Sequence, residues 1–332
     1  DQLLDSMNVD EKIGQMMNST PGIERLGIKP YDWWNEGLHG VGRSGRATVF
    51  PQPIGLGATF DIELLNSIGD EMVASVISTE ARAKYNGQSA HGDRDIYKGL
   101  SMWSPNINIF RDPRWGRGME TYGEDPYLTG MLGTAFVKGL QGDDPNYLKA
   151  AACAKHFAGY SETQGGRDAS EADLSHRKLE SWFLPPFERI AKEGCGTFML
   201  GYESIEGVPV TFNKWLLTDK LRGAWKYNGT LITDWDNVGR SVWEQKVKPD
   251  YVHAAADAVK AGNDLVMTTP GFYDGAIEAV HTGLLDESLI DEAVARILAL
   301  KFRLGLFEKP FTDETRAEKV LRCPAHLELA RR

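Results

Sequence analysis

The chain has 332 residues, 42% hydrophobic and 25% charged, a balance that fits one large α/β barrel or two smaller domains. Its net charge of −10 excludes the basic surface that nucleic acid or an anionic membrane requires and favours a neutral or cationic small substrate. No apolar run approaches the roughly 18 residues needed to cross a bilayer. The opening Asp1-Gln2-Leu3-Leu4 is neither a signal peptide nor an initiator methionine, so a trimmed or processed start is expected. Cys153, Cys195 and Cys323 are too widely spaced for a disulfide framework or a metal signature. Cys153 and Cys195 read as small buried residues, and the unpaired cysteines point towards a reducing cytoplasm.

Asn8-Val9-Asp10-Glu11 is a capping-box pattern opening a helix with apolar Ile13, Met16 and Met17. Tyr31 to Gly40 is dense in aromatics, carboxylates and glycines and reads as a loop, either a binding loop or a cover for buried tryptophans. From Asp61 to about Asn86, Leu64, Leu65, Ile68, Met72, Val76 and Ile77 keep helical spacing. A strand is expected near Leu100–Trp103. In the loop from Arg111 to Glu120 the arginines are interleaved with Trp, Pro and Gly, which predicts ordered guanidinium–carboxylate pairs. A helix from Asp125 to Leu140 follows.

The remaining units repeat one pattern. A strand over Lys149–Ala154 ends at Lys155-His156, one over Thr197–Leu200 ends at Tyr202, and one over Leu231-Ile232 ends at Asp234, with a further strand at Leu265-Val266-Met267. Helices are expected over Leu179–Lys192, Asn213–Trp225, Tyr251–Lys260, Phe272–His281 and Asp286–Arg303. Strands alternating with helices predict a parallel sheet, as an α/β fold of the (β/α)8 TIM-barrel type or, as runner-up, a doubly wound open sheet. No Gly-x-Gly-x-x-Gly follows a strand, which weakens a dinucleotide fold.

Asp234 could simply cap the next turn. However, polar groups end three successive strands, and in a barrel Lys155-His156, Tyr202 and Asp234 would face one mouth, with Trp235 offering a flat apolar face beside the carboxylate. A carboxylate among Lys, His, Arg and aromatics suits glycoside hydrolysis, where it attacks the anomeric carbon while a second carboxyl protonates the leaving oxygen. Lys155 and Arg117 near Asp234 would keep it ionised. Metal spacings such as His-Glu-x-x-His and a Gly-x-Ser-x-Gly elbow are absent from the sequence, so neither a metal, a cofactor nor a serine nucleophile is called for.

Several motifs stand in order: Trp34-Asn35-Glu36-Gly37-Leu38-His39-Gly40, Arg111-Asp112-Pro113-Arg114-Trp115-Gly116-Arg117, Gly123-Glu124-Asp125-Pro126, Ala154-Lys155-His156-Phe157, Gly207-Val208-Pro209 and Thr233-Asp234-Trp235. From Met7 to about Phe307 the chain resembles the barrel domain of glycoside hydrolase family 3, the β-glucosidases and β-xylosidases. The resemblance implies a retaining, exo-acting hydrolase of terminal β-glucosyl or β-xylosyl residues, with Asp234 as nucleophile. It further implies that Glu36, Arg117, Lys155, His156 and Tyr202 hold the glycone hydroxyls, that Met199 and Trp235 form apolar walls, and that Arg111 and Arg114 are structural.

Three departures from the family stand out. Glu36 replaces the Asp usual in β-glucosidases, as in the family's xylosidases, and Glu203 replaces the usual Asn. The family's acid/base normally comes from a second α/β domain, so residues 1–310 are expected to form the barrel and 311–332 to start a linker towards it. Glu203, Glu206 and Asp236 are the local carboxylates that could serve instead. The family's β-N-acetylglucosaminidase branch would place a catalytic His on the loop after Lys-His-Phe, whereas this chain has Ala158-Gly159-Tyr160 there and His176 in Leu174-Ser175-His176. A sugar-binding barrel without catalysis is the non-enzymatic alternative.

Overall fold

The computed structural model describes residues 2–61, 63–64, 67–308 and 315–332. In chain order its strands are β1 (Ser19–Thr20), β2 (Tyr31–Asp32), β3 (Ser101–Met102), β4 (Ala151–Phe157), β5 (Thr197–Leu200), β6 (Ser204–Ile205), β7 (Val208–Pro209) and β8 (Thr230–Ile232). Strands β3, β4, β5 and β8 form a parallel sheet in that order. Short parallel bridges continue it on both sides, from Ile232 to Leu265, from Val266 to Met17 and from Met102 to Asn35. Antiparallel pairing of β1 with β2 closes the ring.

The result is the barrel expected from the alternation of strands and helices, with two differences. Among the described residues the ring has seven segments where a (β/α)8 barrel has eight, and the β1–β2 seam is antiparallel. Connection length explains the seam: the short link between Thr20 and Tyr31 holds one three-residue helical turn, Glu24–Leu26, too little for a parallel crossover. The sequence Tyr31–Gly40, expected to be all loop, therefore contributes a strand. Trp33 at its end is 1% exposed and donates from Nε1 to Thr20 Oγ1 at 2.9 Å.

Strand alternation sorts the side chains into two layers. Ala151, Cys153, Met199 and Ile232 share one hydrophobic cluster with Met16, Trp33, Leu100 and Val266, which come from other segments of the ring. Their neighbours Ala152, Ala154, Phe198, Leu200 and Leu231 belong to a second cluster with Val73, Phe136, Phe187 and Leu217 of the surrounding helices. Both faces of each strand are buried, which is why these strands read as continuous apolar runs. Cys153 and Cys195 are buried, and burial pushes the Cys195 thiol up to about 12, as befits packing residues.

The helices carry the expected caps. In Val9–Gln15, Asn8 Oδ1 accepts from the Glu11 N–H and Glu11 Oε2 accepts from the Asn8 N–H, both at 2.9 Å, a complete capping box. Asp125, Asp250 and Asp286 cap Pro126–Gln141, Tyr251–Ala261 and Glu287–Arg303. Phe272–His281 matches its expected span, and Trp215–Ala224 falls within the one read for it. The helix read over 61–86 is observed as Ser67–Ile77 continued by Ser78–Ala90, with Leu65 outside the described residues. The β6–β7 turn takes positive φ at both Glu206 (51°) and Gly207 (77°), the primed geometry of a two-residue hairpin. No helix among the described residues is long and apolar enough to cross a membrane.

Residues 315–332 fold back on the helix layer as Arg316–Val320 and Pro324–Arg331. They are tied there by the buried Glu80 carboxylate, which accepts from the Arg322 N–H at 3.0 Å and pairs with His326 Nδ1 at 2.8 Å.

At the end of the barrel where β8 begins, Asp264 is fully buried and accepts from the Leu231 N–H (2.7 Å), Arg222 Nη2 (2.6 Å) and Arg296 Nη1 (2.9 Å). One carboxylate thus joins a strand to two helices. Removing it takes from Arg222 and Arg296 the buried carboxylate they share, so Asp264→Ala is expected to cost about 3 kcal/mol. Urea denaturation followed by circular dichroism checks this, and a midpoint equal to that of the parent would show that the cluster carries no stability.

Candidate active site

Parity along the strands decides which residues reach the mouth. Lys155 lies two positions beyond Cys153, and Asp234 two beyond Ile232, so both continue the inward-facing rows of their strands. Deep in the barrel those rows hold mainly small or apolar side chains, and the charged groups come at the C-terminal ends of the strands, Lys155 paired with Met199 and Asp234 beyond the end of β8. Met199 is the inward residue of β5, 1% exposed between its partners Lys155 and Ile232.

His156 reaches the site by a different route. The β4–β5 register slips between Lys155 and Phe157, leaving His156 as an extra residue. Asn108 holds this bulge: its Oδ1 accepts from the His156 N–H at 3.0 Å and its Nδ2 donates to the His156 carbonyl at 2.9 Å. The same Oδ1 lies 2.9 Å from His156 Nδ1, which fixes the tautomer with the proton on Nδ1. Nε2 is then a lone pair, 3.6 Å from Asp234 Oδ2. Burial, aided by the charges of Arg117 and Lys155, holds the imidazole well below its ordinary pKa and keeps it neutral.

Asp234 is 6% exposed. Its Oδ1 accepts from Tyr202 Oη at 2.9 Å and from the Trp235 N–H at 2.6 Å, whereas Oδ2 has no hydrogen-bond partner. One oxygen is anchored and the other is left for a ligand. Asp234 does not cap the following helix; Asp236 occupies that position. Burial raises the Asp234 pKa above the usual carboxylate value. Arg117, the Trp235 N–H, the Tyr202 hydroxyl and Lys155 oppose the rise but do not cancel it. Lys155 and Arg117 thus favour the charged form, the direction expected of them, while desolvation works against it and is the larger influence.

Arg117 is held in a two-pronged pair with Glu120, Nε to Oε1 at 2.7 Å and Nη2 to Oε2 at 2.8 Å. Burial works against the guanidinium charge, but Glu120 and then Asp234 more than restore it. Asn106 Nδ2 donates to Glu120 at 3.1 Å, and Lys155 Nζ lies 3.9 Å from Glu36 Oε2. Trp34 Nε1 donates to the other Glu36 oxygen at 3.0 Å. Glu36, Arg117, Glu120 and Lys155 line a cavity of about 680 Å³ that extends along His39, Arg43, Val49 and Gln52.

The residues singled out in the sequence thus form a chain of contacts from Glu36 through Lys155 to His156, Asp234 and Tyr202, with Arg117 beside Asp234. Trp235 follows on the rim, 41% exposed, and Met199 lies beneath. Arg114 pairs with Asp112 on the surface and Arg111 stacks over Trp182, both away from the carboxylate. Sequence reasoning did not single out Glu120, Asn108, Tyr160 or Arg240. The three-residue spacing of Arg117 and Glu120 was the available signal for the first. Tyr160, four residues after His156, packs edge-on against it at 5.0 Å and pairs with Asp168.

The three local alternative carboxylates differ in their surroundings. Glu206 is on the exposed β6–β7 turn, 3.5 Å from His176, which itself stacks on Trp215 at the surface. Asp236 Oδ2 accepts from Trp243 Nε1 at 2.8 Å. Glu203 is fully buried with neither carboxyl oxygen hydrogen-bonded, and burial raises its pKa well above the ordinary value, so it is held protonated. Among the described residues no three His, Cys, Asp or Glu side chains gather in a way that could hold a metal ion.

Known proteins resemble this chain in both sequence and fold. Residues 11–300 match the family described as the glycosyl hydrolase family 3 N-terminal domain. A xylan 1,4-β-xylosidase of Xylanibacter ruminicola is 39% identical over 93% of this chain and 36% of its own length, and β-D-xylosidase 3 of Arabidopsis thaliana is 39% identical over 92% of this chain and 40% of its own. Among solved structures, a β-glucosidase involved in saponin metabolism from intestinal bacteria is 58% identical with a TM-score of 0.81, covering 98% of this chain and 41% of that one. The β-glucosidase of Listeria innocua in complex with isofagomine is 30% identical with a TM-score of 0.83, covering 99% and 49%. This chain spans about two fifths of the length of the curated relatives it matches. A family match over most of its length, carried on a barrel with a carboxylate at the mouth, means that the chain belongs to glycoside hydrolase family 3 as its N-terminal domain.

Proposed function

We propose that this chain is the nucleophile-bearing barrel of a retaining, exo-acting β-glycosidase that releases terminal β-D-glucosyl or β-D-xylosyl residues. The observation that carries the reading is the asymmetry of Asp234: Oδ1 is fixed by Tyr202 and the Trp235 N–H, while Oδ2 is buried and unpartnered at the mouth. In the first displacement Oδ2 attacks the anomeric carbon as the bond to the leaving oxygen breaks and that oxygen takes a proton. In the second, water replaces the carboxylate, so configuration is retained. Glu36, Arg117, Lys155, His156 and Tyr202 hold the hydroxyls of the glycone, and Met199 and Trp235 are its apolar walls. A neutral His156 with a free Nε2 accepts a hydrogen bond from a sugar hydroxyl.

The proton for the leaving group comes from outside residues 1–310, and residues 311–332 lead towards the domain that supplies it. Two observations support this part of the proposal. The matched relatives are more than twice the length of this chain. Locally, Glu203 is sealed off and Glu206 lies on an exposed turn.

Two measurements test the mechanism. Asp234→Ala is expected to fold normally and to lose several orders of magnitude in turnover of an activated aryl β-glycoside. Azide or formate then restores part of the activity, giving a product of inverted configuration; a variant that still hydrolyses with retention would rule out the nucleophile role.

The pH profile offers the second check. Because burial already raises the Asp234 pKa and Arg117 is the largest opposing influence, Arg117→Ala moves the acidic limb of kcat/KM to higher pH. The loss of Glu120's partner acts in the same direction, since it leaves a second negative charge nearby. An acidic limb that stays in place or moves to lower pH contradicts the assignment of that limb to Asp234.

A further inference from the structure

Beyond Asp234 the rim carries two large apolar side chains with much of their surface in solvent, Trp235 at 41% and Trp243 at 45% exposed. Both are anchored. The Trp235 N–H donates to the candidate nucleophile itself. Trp243 closes the helix Asn237–Trp243, and its Nε1 is engaged by Asp236 Oδ2 at 2.8 Å. Between them lies Arg240, whose guanidinium is 4.5 Å from the Tyr202 ring, 5.8 Å from Trp235 and 5.5 Å from Trp243. Arg240 Nη1 is paired with Glu244 Oε2 at 2.7 Å. A single cation therefore braces the ring that hydrogen-bonds Asp234 and both exposed indoles, and Glu244 offsets its charge.

This half of the mouth differs chemically from the half that faces the cavity. Glu36, Arg117, Glu120 and Lys155 offer charged hydrogen-bonding groups suited to sugar hydroxyls. The Trp235–Arg240–Trp243 side offers exposed aromatic surface, with the Trp243 indole N–H already engaged. Rigid, half-exposed indoles next to a reacting centre fit an apolar partner that stacks on their faces. A glycoside has two ends of this kind, a hydroxyl-rich glycone and a leaving group whose polarity varies.

Resting on the glycosidase reading above, we infer that Trp243, braced by Arg240 and continuous with Trp235, is a leaving-group platform selective for neutral, flat aglycones of fused rings. The Arg240–Glu244 pair leaves the platform without net charge, so an anionic aglycone gains nothing there. Trp243 is a specificity residue on this view and takes no part in bond making.

The test uses the intact enzyme and two β-glycosides of the same glycone with similarly acidic leaving groups, 4-nitrophenyl and the fused-ring 4-methylumbelliferyl. Trp243→Ala is expected to lower the ratio of kcat/KM for the fused-ring substrate over the monocyclic one by about threefold to tenfold, the scale of one aromatic stacking contact. The loss should fall on KM, and Trp243→Phe should recover part of it. In the parent enzyme, free 4-methylumbelliferone should inhibit more strongly than 4-nitrophenol, a comparison that needs no variant. If both substrates are turned over but the ratio is unmoved in a folded Trp243→Ala protein, or the two phenols inhibit equally, the platform is overturned. If the parent enzyme hydrolyses neither substrate, the glycosidase reading fails instead.

Discussion

The closed ring imposes one constraint on everything else: side chains on consecutive strand residues must point alternately into the barrel and under the helices. Inside, the space admits Met16, Trp33, Cys153, Met199 and Ile232 and little more. Outside, Ala152, Phe198 and Leu231 meet the helix layer. A charged group placed inward within the ladder would have to give up its hydration without a partner. Charge on the inward rows therefore comes near the C-terminal ends of the strands, where Lys155 and Asp234 stand. At the opposite end Asp264 is buried because two arginines and a backbone N–H surround it.

At the mouth the same economy of space produces opposing electrostatic pressures. Asp234 is desolvated enough that its carboxylate is costly, and Arg117 with Lys155 lowers that cost without removing it. Arg117 is itself burdened by burial and is stabilised by Glu120. The network alternates in sign from Glu36 to Lys155 and from Asp234 to Arg117 to Glu120, so no charge is left facing only its own kind. The neutral state of His156 belongs to this pattern, because a third cation beside Arg117 and Lys155 would be repelled. Glu203 is the exception: burial, together with the charges of Asp234 and Asp168, pushes its pKa well above the ordinary value.

Much of this was legible in the sequence because it depends on local patterns. The capping box at Asn8 and Glu11, the helix starts near Asp125 and Asp286, and the apolar runs ending at Lys155, Leu200 and Asp234 all read directly. The guanidinium–carboxylate pairs expected around Trp115 are present as Arg114–Asp112 and Arg117–Glu120. What was not legible depends on closure and register. The β1–β2 seam is antiparallel because of how far the chain must travel, and the Tyr31–Gly40 segment looked like loop because its strand is only two residues long. The slip that exposes His156 to the site is set by Asn108, which is remote in sequence and carries no signature of its own. Arg240 looked like an ordinary helix-surface arginine, and only the fold brings three rings around it.

Glu80 links two parts of the molecule that have no obvious business with each other. Besides the tail, it takes both the N–H and the Oγ1 of Thr48, at 2.8 and 2.7 Å. Thr48 lies in the stretch from Leu38 to Gln52 that walls the cavity beside Glu36. The wall of the cavity beside Glu36 and the C-terminal helix Pro324–Arg331 are thus moored to one carboxylate, itself rooted in the helix Ser78–Ala90. Tension applied along the polypeptide beyond residue 315 has a short mechanical route to that wall. The tail helix and the cavity wall therefore share one anchor, and a change at either end is felt first at the Glu80 carboxylate.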